Sequence, residues 1–421
     1  MPLSRSEDRL SGDTVAVWAG NFGAVFLRFA LNVLIARLGG ADQMGIFVAL
    51  TAFTFIIARL TDLGLPNAIV YFVRSHRQST SRCVSVCLLH SVFMLPASIV
   101  LLKTASVLGL TNEGSRQLIA SSWLLLSALS TVQLLGGLIT QLLIPLNGFK
   151  SYALVMILSP LVSIGICIAL GRGVDATHLV TAVLIGETCA AAAGLALVLR
   201  ATPRKTLAAP IPGLLTIYLY ALRSYVGTSL KALGQRGDRV VLSWFLPNSL
   251  LAAYAVATSL RDNASLPITT HSMLLRNQLI DRELRVDGGE AVGAFFRREL
   301  LRWTGIATII AVGLALAAPI VVPVLYGPQF KSTVPLFIIL SATLPMIAVA
   351  TLCWTALLSA ARPGAVSFGL IFGGAVNLVA LYAGAHFAGA IGASWGALIA
   401  SAVAAAWWLM ASFRRRSLER L

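Results

Sequence analysis

The stretch "VAVWAGNFGAVFLRFALNVLIARLGGADQMGIFVALTAFTFIIARLTDLG" (residues 15–64) decides the fold. It contains two apolar runs, 15–36 and 44–64, and each has about the ~20 residues that a helix needs to cross the hydrocarbon core of a bilayer. The segment "RLGGADQMG" (37–45) between them is typical of a turn. The stretch therefore predicts two transmembrane helices joined by a short connection.

The same pattern extends along the whole chain. Of the 421 residues, 57% are hydrophobic and 11% are charged, and the mean hydropathy is +0.85. Soluble globular proteins carry about 25% charged residues, so the composition excludes that class. We expect an all-α polytopic membrane protein with about 12 transmembrane helices, each bounded to within about four residues. The predicted spans are 15–36, 44–64, 83–106, 117–145, 152–170, 178–199, 214–234, 239–260, 303–325, 333–358, 364–386 and 390–412.

The spans fall into two sets of six, separated by the Pro-interrupted basic linker "RATPRKTLAAPIPG" (200–213). The segments "PLNGFKSYALVMILSPLVSIGICIALG" (145–171) and "LSAARPGAVSFGLIFGGAVNLVALYAG" (358–384) share an order of turn, cation, Gly-spotted helix and glycine exit. We therefore expect two pseudo-symmetric six-helix lobes, 1–205 and 206–421. Parallel copies of this kind place a substrate site between them, so we expect a central cavity.

The distribution of basic residues predicts the orientation of the chain. With the N-terminus inside, 20 Lys and Arg residues fall in cytoplasmic loops and tails and seven fall outside, Arg236 and Arg239 among them. The positive-inside bias therefore predicts cytoplasmic termini. The stretch 261–302 is amphipathic and rich in arginine, and we expect it to lie against the anionic lipids of the inner leaflet.

Several function classes are excluded by the absence of their motifs. The net charge of +16 comes from basic residues at helix ends and not from a nucleic-acid-binding motif, so no nucleic acid partner is expected. The five cysteines lie in or near apolar spans, where packing is the expected role, and no metal site is predicted. No Walker lysine motif is present, and no large outer loop carries catalytic residues. The sequence predicts a transporter and not an enzyme.

Two arginines lie too deep in their spans to reach either interface. Arg28 and Arg223 are near the middles of the first and seventh spans, where an arginine costs ~2.5–3.5 kcal/mol on insertion scales. Both belong to polar stripes, which face a bundle interior or a water-filled cavity. The alternative is that backbone carbonyls and Asn side chains hold the two arginines for packing alone. The stripes consist of Thr14, Asn21, Arg28 and Asn32, and of Tyr220, Arg223, Gly227 and Lys231.

Two acidic residues complete the set of charges inside spans. Arg59 and Asp62 share a helix face at the end of the second span, where they either anchor the helix end or line the inner mouth of a cavity. Glu187 lies in the middle of the sixth span and is either a counter-ion or a proton carrier. Together with Arg28, Arg223 and Lys231 these residues give a positive surplus, which favours an anionic substrate such as a pyrophosphate.

The segments "NFGAVFLRFALNVLIARLGGADQMGIFVALTAFTFIIARLTDLGLPNAIVYFVR" (21–74), "RGDRVVLSWFLPNSLLAAYAVATSL" (236–260) and "VLYGPQFKSTVPLFIIL" (324–340) resemble bacterial polysaccharide-biosynthesis membrane proteins. These are the O-antigen (Wzx-type) oligosaccharide-lipid flippases of the multidrug/oligosaccharidyl-lipid/polysaccharide exporter superfamily. The resemblance implies two six-helix lobes around a cavity that opens alternately to each side. It also implies that an undecaprenyl-pyrophosphate-linked oligosaccharide moves from the inner to the outer leaflet.

The resemblance further implies which residues and partners take part. Arg28, Arg59 and Arg223 occupy the helices that supply the cationic cavity in the family. The expected partners are the lipid-linked oligosaccharide and the polysaccharide polymerase and export machinery. No cofactor is expected, and the coupling ion, H⁺ or Na⁺, stays open. The alternative is an ion-coupled multidrug antiporter of the same superfamily, whose cationic substrates would favour an acidic cavity.

Overall fold

The computed structural model describes residues 4–75, 80–107, 113–146, 148–202, 214–284, 289–360 and 362–413. Within these ranges the chain forms thirteen α-helices and one short 3-10 helix, and no strand, so the expectation of an all-α protein is confirmed. The helices are α1 (Ser4–Leu60), α2 (Leu65–Ser75), α3 (Thr80–Val107), α4 (Glu113–Leu143), α5 (Phe149–Leu170), α6 (Ala176–Ala201), α7 (Leu214–Leu242), α8 (Asn248–Ala264), α9 (Leu266–Leu284), α10 (Gly289–Tyr326), α11 (Thr333–Ser341), α12 (Leu344–Ser359) and α13 (Pro363–Phe413), with the 3-10 helix at Pro328–Phe330.

Two of the helices are too long to be single membrane spans. A straight helix of 57 residues, the length of α1, would run for about 85 Å, nearly three times the ~30 Å hydrocarbon core. The backbone of α1 breaks at Gly40, where φ is 76°. That of α13 breaks at Gly389, where φ is 57°. Positive φ values suit glycine, which has no Cβ to clash. Each long helix therefore contains two of the predicted spans.

Among the described residues, seven helical segments are long and apolar enough to cross a membrane. The number is eight if α11 and α12, which meet at a bend of 41°, form one broken span. The segments 20–60 and 364–413 each contain a glycine break. The predicted span 214–234 lies within α7, whereas the predicted span 239–260 begins in α7 and ends in α8. Neither helix is among the seven. Helix α2 was not predicted at all.

The contacts divide the chain into two compact units, Met1–Val240 and Val241–Leu421. The predicted lobe boundary at 205/206 lies outside the described residues and stays a prediction. In the first unit, a core forms where Leu65 and Ile69 of α2 pack with Leu138 and Leu142 of α4. In the second unit, Leu275 and Leu279 of α9 pack with residues of α10, α12 and α13: Phe295, Phe296, Leu300, Leu352, Cys353, Leu357, Val366 and Trp408.

The start of α6 is tied to the break in α1. Asp175 caps α6 by accepting a hydrogen bond from the His178 backbone N–H at 2.9 Å, and this bond lowers the pKa of Asp175. The Gln43 side chain accepts a second bond, from the Ala176 N–H, at 2.8 Å. The Gly173 N–H donates to the Leu38 carbonyl oxygen. These contacts fix α6 against the turn of α1.

Farther along, α6 approaches α5 until their backbones touch. A Cβ placed on Gly186 would lie 2.6 Å from the Ser159 carbonyl oxygen, so no larger residue fits without moving a helix. Close approach through small residues is the usual way for membrane helices to pack. The contact sets the position of Glu187, the next residue in the chain.

Candidate functional site

The first unit contains a cavity of about 410 Å³. Residues of α1, α4, α5, α6 and α7 line it, and all of them lie before residue 240. Its charged lining residues are Arg28, Arg59, Glu187, Arg236 and Arg239. Polar groups surround them, with hydroxyl, amide and phenol side chains from Asn32, Thr51, Gln133, Thr140, Gln141, Tyr152, Ser159 and Ser163.

Helix α1 supplies charge to the cavity from both sides of its break. Arg28 and Asn32 are four residues apart before Gly40 and share a helix face. Arg59 comes from the segment after Gly40. The break thus brings distant parts of one helix to the same cavity. On the first segment, the Tyr152 hydroxyl of α5 donates to Asn21 Oδ1 at 3.4 Å.

Arg59 and Asp62 face different surroundings although they form an ion pair. Their Nη1 and Oδ2 atoms are 3.7 Å apart, and the side chain of Arg59 is 40% exposed while that of Asp62 is 2% exposed. Asp62 Oδ1 accepts a hydrogen bond from the Gly64 N–H at 2.8 Å, where the chain leaves α1. Arg59 instead lines the cavity. The two residues of the pair therefore have different neighbours: Asp62 is bonded to the turn after α1, and Arg59 lines the cavity.

The guanidinium group of Arg59 lies between a glycine of α4 and an aromatic ring of α1. A Cβ placed on Gly137 of α4 would lie 3.6 Å from Arg59 Nη1, and the Arg59 Cζ lies 5.4 Å from the centre of the Phe55 ring. An arginine at this distance from an aromatic ring gains a cation–π attraction. The guanidinium is therefore held at the cavity wall by a carboxylate and a ring.

Arg236 and Arg239 are cavity residues that the sequence analysis assigned to an outside loop. That assignment is wrong, because α7 continues to Leu242 instead of ending near 234. Both residues lie three apart on α7 and line the cavity. Arg236 Cζ lies 5.2 Å from the centre of the same Phe55 ring that Arg59 contacts. The i, i+3 spacing of the two arginines was the signal in the sequence.

The cavity therefore gathers some of the predicted site residues and not others. Arg28, Asn32, Arg59 and Glu187 line it. Asn21 is exposed and Asp62 is buried, and neither is a lining residue. The side chains of Arg223 and Lys231 lie outside the described part of the structure.

The charge of the lining is positive. Four arginines and one glutamate give a formal surplus of three positive charges, and Asp62 lies behind Arg59. Arginine forks match the oxygens of phosphate and carboxylate groups, often through two parallel hydrogen bonds. Among the described residues, no group of three or more His, Cys, Asp or Glu side chains could hold a metal ion. The arrangement is suited to an anion with several acceptor oxygens.

Helix α7 is fastened to the end of α1 close to Arg59. The Tyr225 hydroxyl donates to the Leu60 carbonyl oxygen at 2.7 Å. His90 Nε2 lies 2.8 Å from the Thr61 carbonyl oxygen, and its Nδ1 lies 3.1 Å from the Tyr218 hydroxyl. Because a carbonyl only accepts, Nε2 carries the proton and Nδ1 accepts from Tyr218. These bonds use carbonyls at a helix end, which have no partner within the helix.

The structure is similar to those of known membrane transporters. It matches the inward-facing conformation of a multidrug resistance MATE family transporter of the MOP superfamily with a TM-score of 0.76 and 14% identity, over 94% of this chain and 95% of that chain. It matches the lipid II flippase MurJ in an inward closed conformation with a TM-score of 0.75 and 13% identity, over 94% and 87% of the two chains.

A third match is a MOP superfamily transporter from Pyrococcus furiosus, described as having a binding pocket of reverse polarity that suggests a different function. Its TM-score is 0.65 at 14% identity, over 97% of this chain and 95% of that chain. At such identities the matches show the fold alone, that of MOP superfamily transporters.

No curated protein matches the chain. The family model for polysaccharide biosynthesis proteins matches residues 13–274, more than half of the sequence and including every residue that lines the cavity. The chain therefore belongs to the polysaccharide biosynthesis protein family.

Proposed function

We propose that this membrane protein is a flippase for an undecaprenyl-pyrophosphate-linked oligosaccharide. It moves this lipid from the inner to the outer leaflet of the bacterial cytoplasmic membrane, by alternating access, for the synthesis of exopolysaccharide, capsule or O-antigen. The observation that carries the proposal is the cavity lining of four arginines and one glutamate. The family match supports the link to surface polysaccharide.

The charge of the lining explains why a pyrophosphate would enter. Cations held within a membrane protein are costly unless a counter-charge is near. A pyrophosphate in the cavity would bring counter-charge to the arginines that line it. A pyrophosphate brings several negative charges and acceptor oxygens, which Arg28, Arg59 and Arg236 can bind bidentately. Glu187 serves as a counter-ion when the substrate is absent.

The cavity is large enough for only part of the proposed substrate. A volume of about 410 Å³ is in the range of pockets that hold a drug-sized ligand, roughly 300–1,000 Å³. The polar head, a pyrophosphate with its first sugar, suits such a space. The long polyprenyl chain is apolar and stays in the lipid. The hydroxyl and amide groups of Asn32, Gln133 and Gln141 offer hydrogen bonds to sugar hydroxyls.

The test uses cells that lack this gene. We expect the polyprenyl-pyrophosphate oligosaccharide to accumulate on the inner leaflet, and the wild-type protein to clear it. Arg28→Ala should insert normally and reduce clearance by at least ~10-fold, since one charged hydrogen-bond donor contributes about 1.5–3 kcal/mol. Arg28→Lys, which keeps the charge and loses the fork, should retain partial activity.

The matched control is Arg37→Ala, which removes an exposed arginine from the same α1 segment outside the cavity lining. Clearance at the wild-type rate by Arg28→Ala would overturn the cationic-site model. No accumulation in the deletion strain would overturn the flippase itself.

The second candidate is an ion-coupled multidrug antiporter. The fold match to a multidrug resistance MATE family transporter favours it, whereas the positive lining opposes it, because a cationic drug would be repelled. Changed resistance of the deletion strain to a cationic dye, without lipid accumulation, would favour this second candidate. In both cases the coupling ion would be H⁺ or Na⁺, and Glu187→Gln tests whether that residue carries a proton.

A further inference from the structure

Helices α9 and α10 of the second unit form an antiparallel pair. The His271 ring stacks on Trp303 with 4.3 Å between ring centres and 22° between planes, and His271 Nε2 lies 3.1 Å from Glu299 Oε2. Because His271 is level with Trp303 and the helices are antiparallel, a residue five positions after His271 is level with one about five positions before Trp303. Arg276 is thus level with Arg297 and Arg298, about 8 Å from His271 along the pair.

Four arginines of this pair face outwards. Arg276, Arg297, Arg298 and Arg302 are all exposed, whereas Glu299 between them is buried. Burial lowers the pKa of His271, so His271 is mostly neutral at neutral pH, and Arg302 Nη1 lies 3.9 Å from Glu299 Oε1. Glu299 is buried within the helix pair and offsets part of the charge of Arg302. The other three arginines, Arg276, Arg297 and Arg298, leave a positive surface that we call the arginine face.

The exposed arginines lie level with one end of the apolar part of α10. The segment of α10 that is apolar enough for a membrane runs from Val292 to Tyr326, so the arginines lie at its cytoplasmic end in the predicted orientation. Cations at the cytoplasmic edge of a span are what a negatively charged leaflet favours.

Exposed apolar side chains accompany the arginines. Met273 is 65% exposed, Leu274 is 50% exposed and Leu301 is 69% exposed. Trp303 is half-buried at the same level as His271, and tryptophan is enriched where the hydrocarbon core meets the headgroups. An arginine beside exposed aliphatic carbon can contact a headgroup phosphate and the start of an acyl chain at once.

We propose that the arginine face binds the anionic headgroups of phospholipids in the cytoplasmic leaflet, with Met273, Leu274 and Leu301 contacting their acyl chains. The ligand class is a diacyl phospholipid with a net negative headgroup, such as phosphatidylglycerol. This site is separate from the cavity of the first unit and does not depend on what that cavity carries. It fixes the depth at which α9 and α10 meet the membrane.

The experiment compares three forms of the full-length protein in detergent: wild type, Arg276→Gln/Arg297→Gln/Arg298→Gln, and the control Arg37→Gln/Arg116→Gln/Arg172→Gln. The control loses the same charge from exposed arginines of the first unit on the predicted outer side. Phosphatidylglycerol is titrated into each, and bound lipid is counted by native mass spectrometry alongside the unfolding temperature. Phosphatidylcholine and inorganic phosphate are the comparison ligands.

We expect the arginine-face variant to bind phosphatidylglycerol about 100-fold more weakly than wild type, because each arginine near an anionic surface contributes about a fivefold gain in affinity. The control should bind like wild type, and only phosphatidylglycerol should raise the unfolding temperature. Equal binding by wild type and the arginine-face variant would overturn the proposal. So would equal loss in the control, which would mean a net-charge effect, or equal stabilisation by inorganic phosphate, which would mean an anion site without lipid.

Discussion

Arg59 and Asp62 show how two residues in one ion pair can serve different purposes. The pair occurs where α1 ends, and the buried carboxylate bonds to the Gly64 N–H while the half-exposed guanidinium reaches the cavity. An ion pair with one exposed partner contributes little to stability by itself. The hydrogen bond of Asp62 to the backbone contributes more, because it satisfies a donor at a buried turn.

Substitution of Asp62 should therefore mainly affect stability, and substitution of Arg59 should mainly affect transport. Asp62→Ala should lower the free energy of unfolding by about 1–3 kcal/mol, since it removes the buried carboxylate that accepts the hydrogen bond from the Gly64 N–H. Arg59→Gln should change stability by less than about 1 kcal/mol but should reduce lipid flipping. Thermal unfolding in detergent and a flipping assay in proteoliposomes measure the two effects. Equal destabilisation by both variants, or full flipping by Arg59→Gln, would contradict this division.

Single residues were predictable where a charge interrupts an apolar run. Arg28, Arg59 and Glu187 stand out in the sequence because an ionised group in lipid is costly, and all three line the cavity. Asn21 and Asp62 were grouped with them by helical spacing. Spacing assigns a face to a residue, but it does not say what surrounds that face. Asn21 is exposed beside Tyr152, and the turn at Gly64 encloses Asp62.

At the scale of elements, α7 is the helix that sequence reasoning described least well. Its segment "GQRGDR" (234–239) has two glycines and three charges, which is the usual composition of a turn. The structure keeps it helical to Leu242, and Arg236 and Arg239 then face the cavity. Tertiary surroundings outweigh local propensity in such a segment, because the charged side chains of Arg236 and Arg239 lie in a cavity with a polar lining and Arg236 also lies beside an aromatic ring. A turn assignment therefore hid two of the four arginines.

The hydrogen bond between α7 and the end of α1 can be tested by removing a single oxygen atom. Tyr225→Phe removes the hydroxyl that donates to the Leu60 carbonyl, and it should lower the free energy of unfolding by about 0.5–1.5 kcal/mol. We also expect faster hydrogen exchange in α7, because a direct hydrogen bond from α7 to α1 is lost. Tyr220→Phe is the control, since the ring that stacks on Tyr71 is kept. Unchanged exchange in α7 of the Tyr225 variant would show that this bond does not hold the helix.

At the scale of the whole molecule, the fold was predictable because hydropathy and length are read over about 20 residues at a time. A turn was expected at 37–45 from its glycines, and a break was expected between the predicted spans 364–386 and 390–412. The structure places the breaks of α1 and α13 at Gly40 and Gly389. Helix α2 was not predicted because it begins at Leu65, only five residues after α1 ends at Leu60, and its sequence was taken as the end of the second span. Its buried side chains, Leu65, Ile69 and Val73, become visible as a face only when α4 is in place.

Orientation is a property of the whole chain and can be measured in cells. If both termini are cytoplasmic, a cysteine at Arg116 should react with a membrane-impermeant thiol reagent added outside, and one at Lys150 should react only after permeabilisation. Both positions are exposed. Arg116 is near the start of α4, and Lys150 is at the start of α5, shortly after α4 ends. The wild-type protein controls for labelling of its five native cysteines. The reverse pattern would invert the topology.

The ring of Phe55 has a consequence for release. It lies within 5.4 Å of the guanidinium carbons of both Arg59 on α1 and Arg236 on α7. A displacement of α7 away from α1 would withdraw Arg236 from the ring and take one positive charge out of the wall around an anion. The hold on that anion would weaken in the same movement that widens its exit. Opening of the cavity and release of the anion would then occur in the same movement, and release would need no separate trigger.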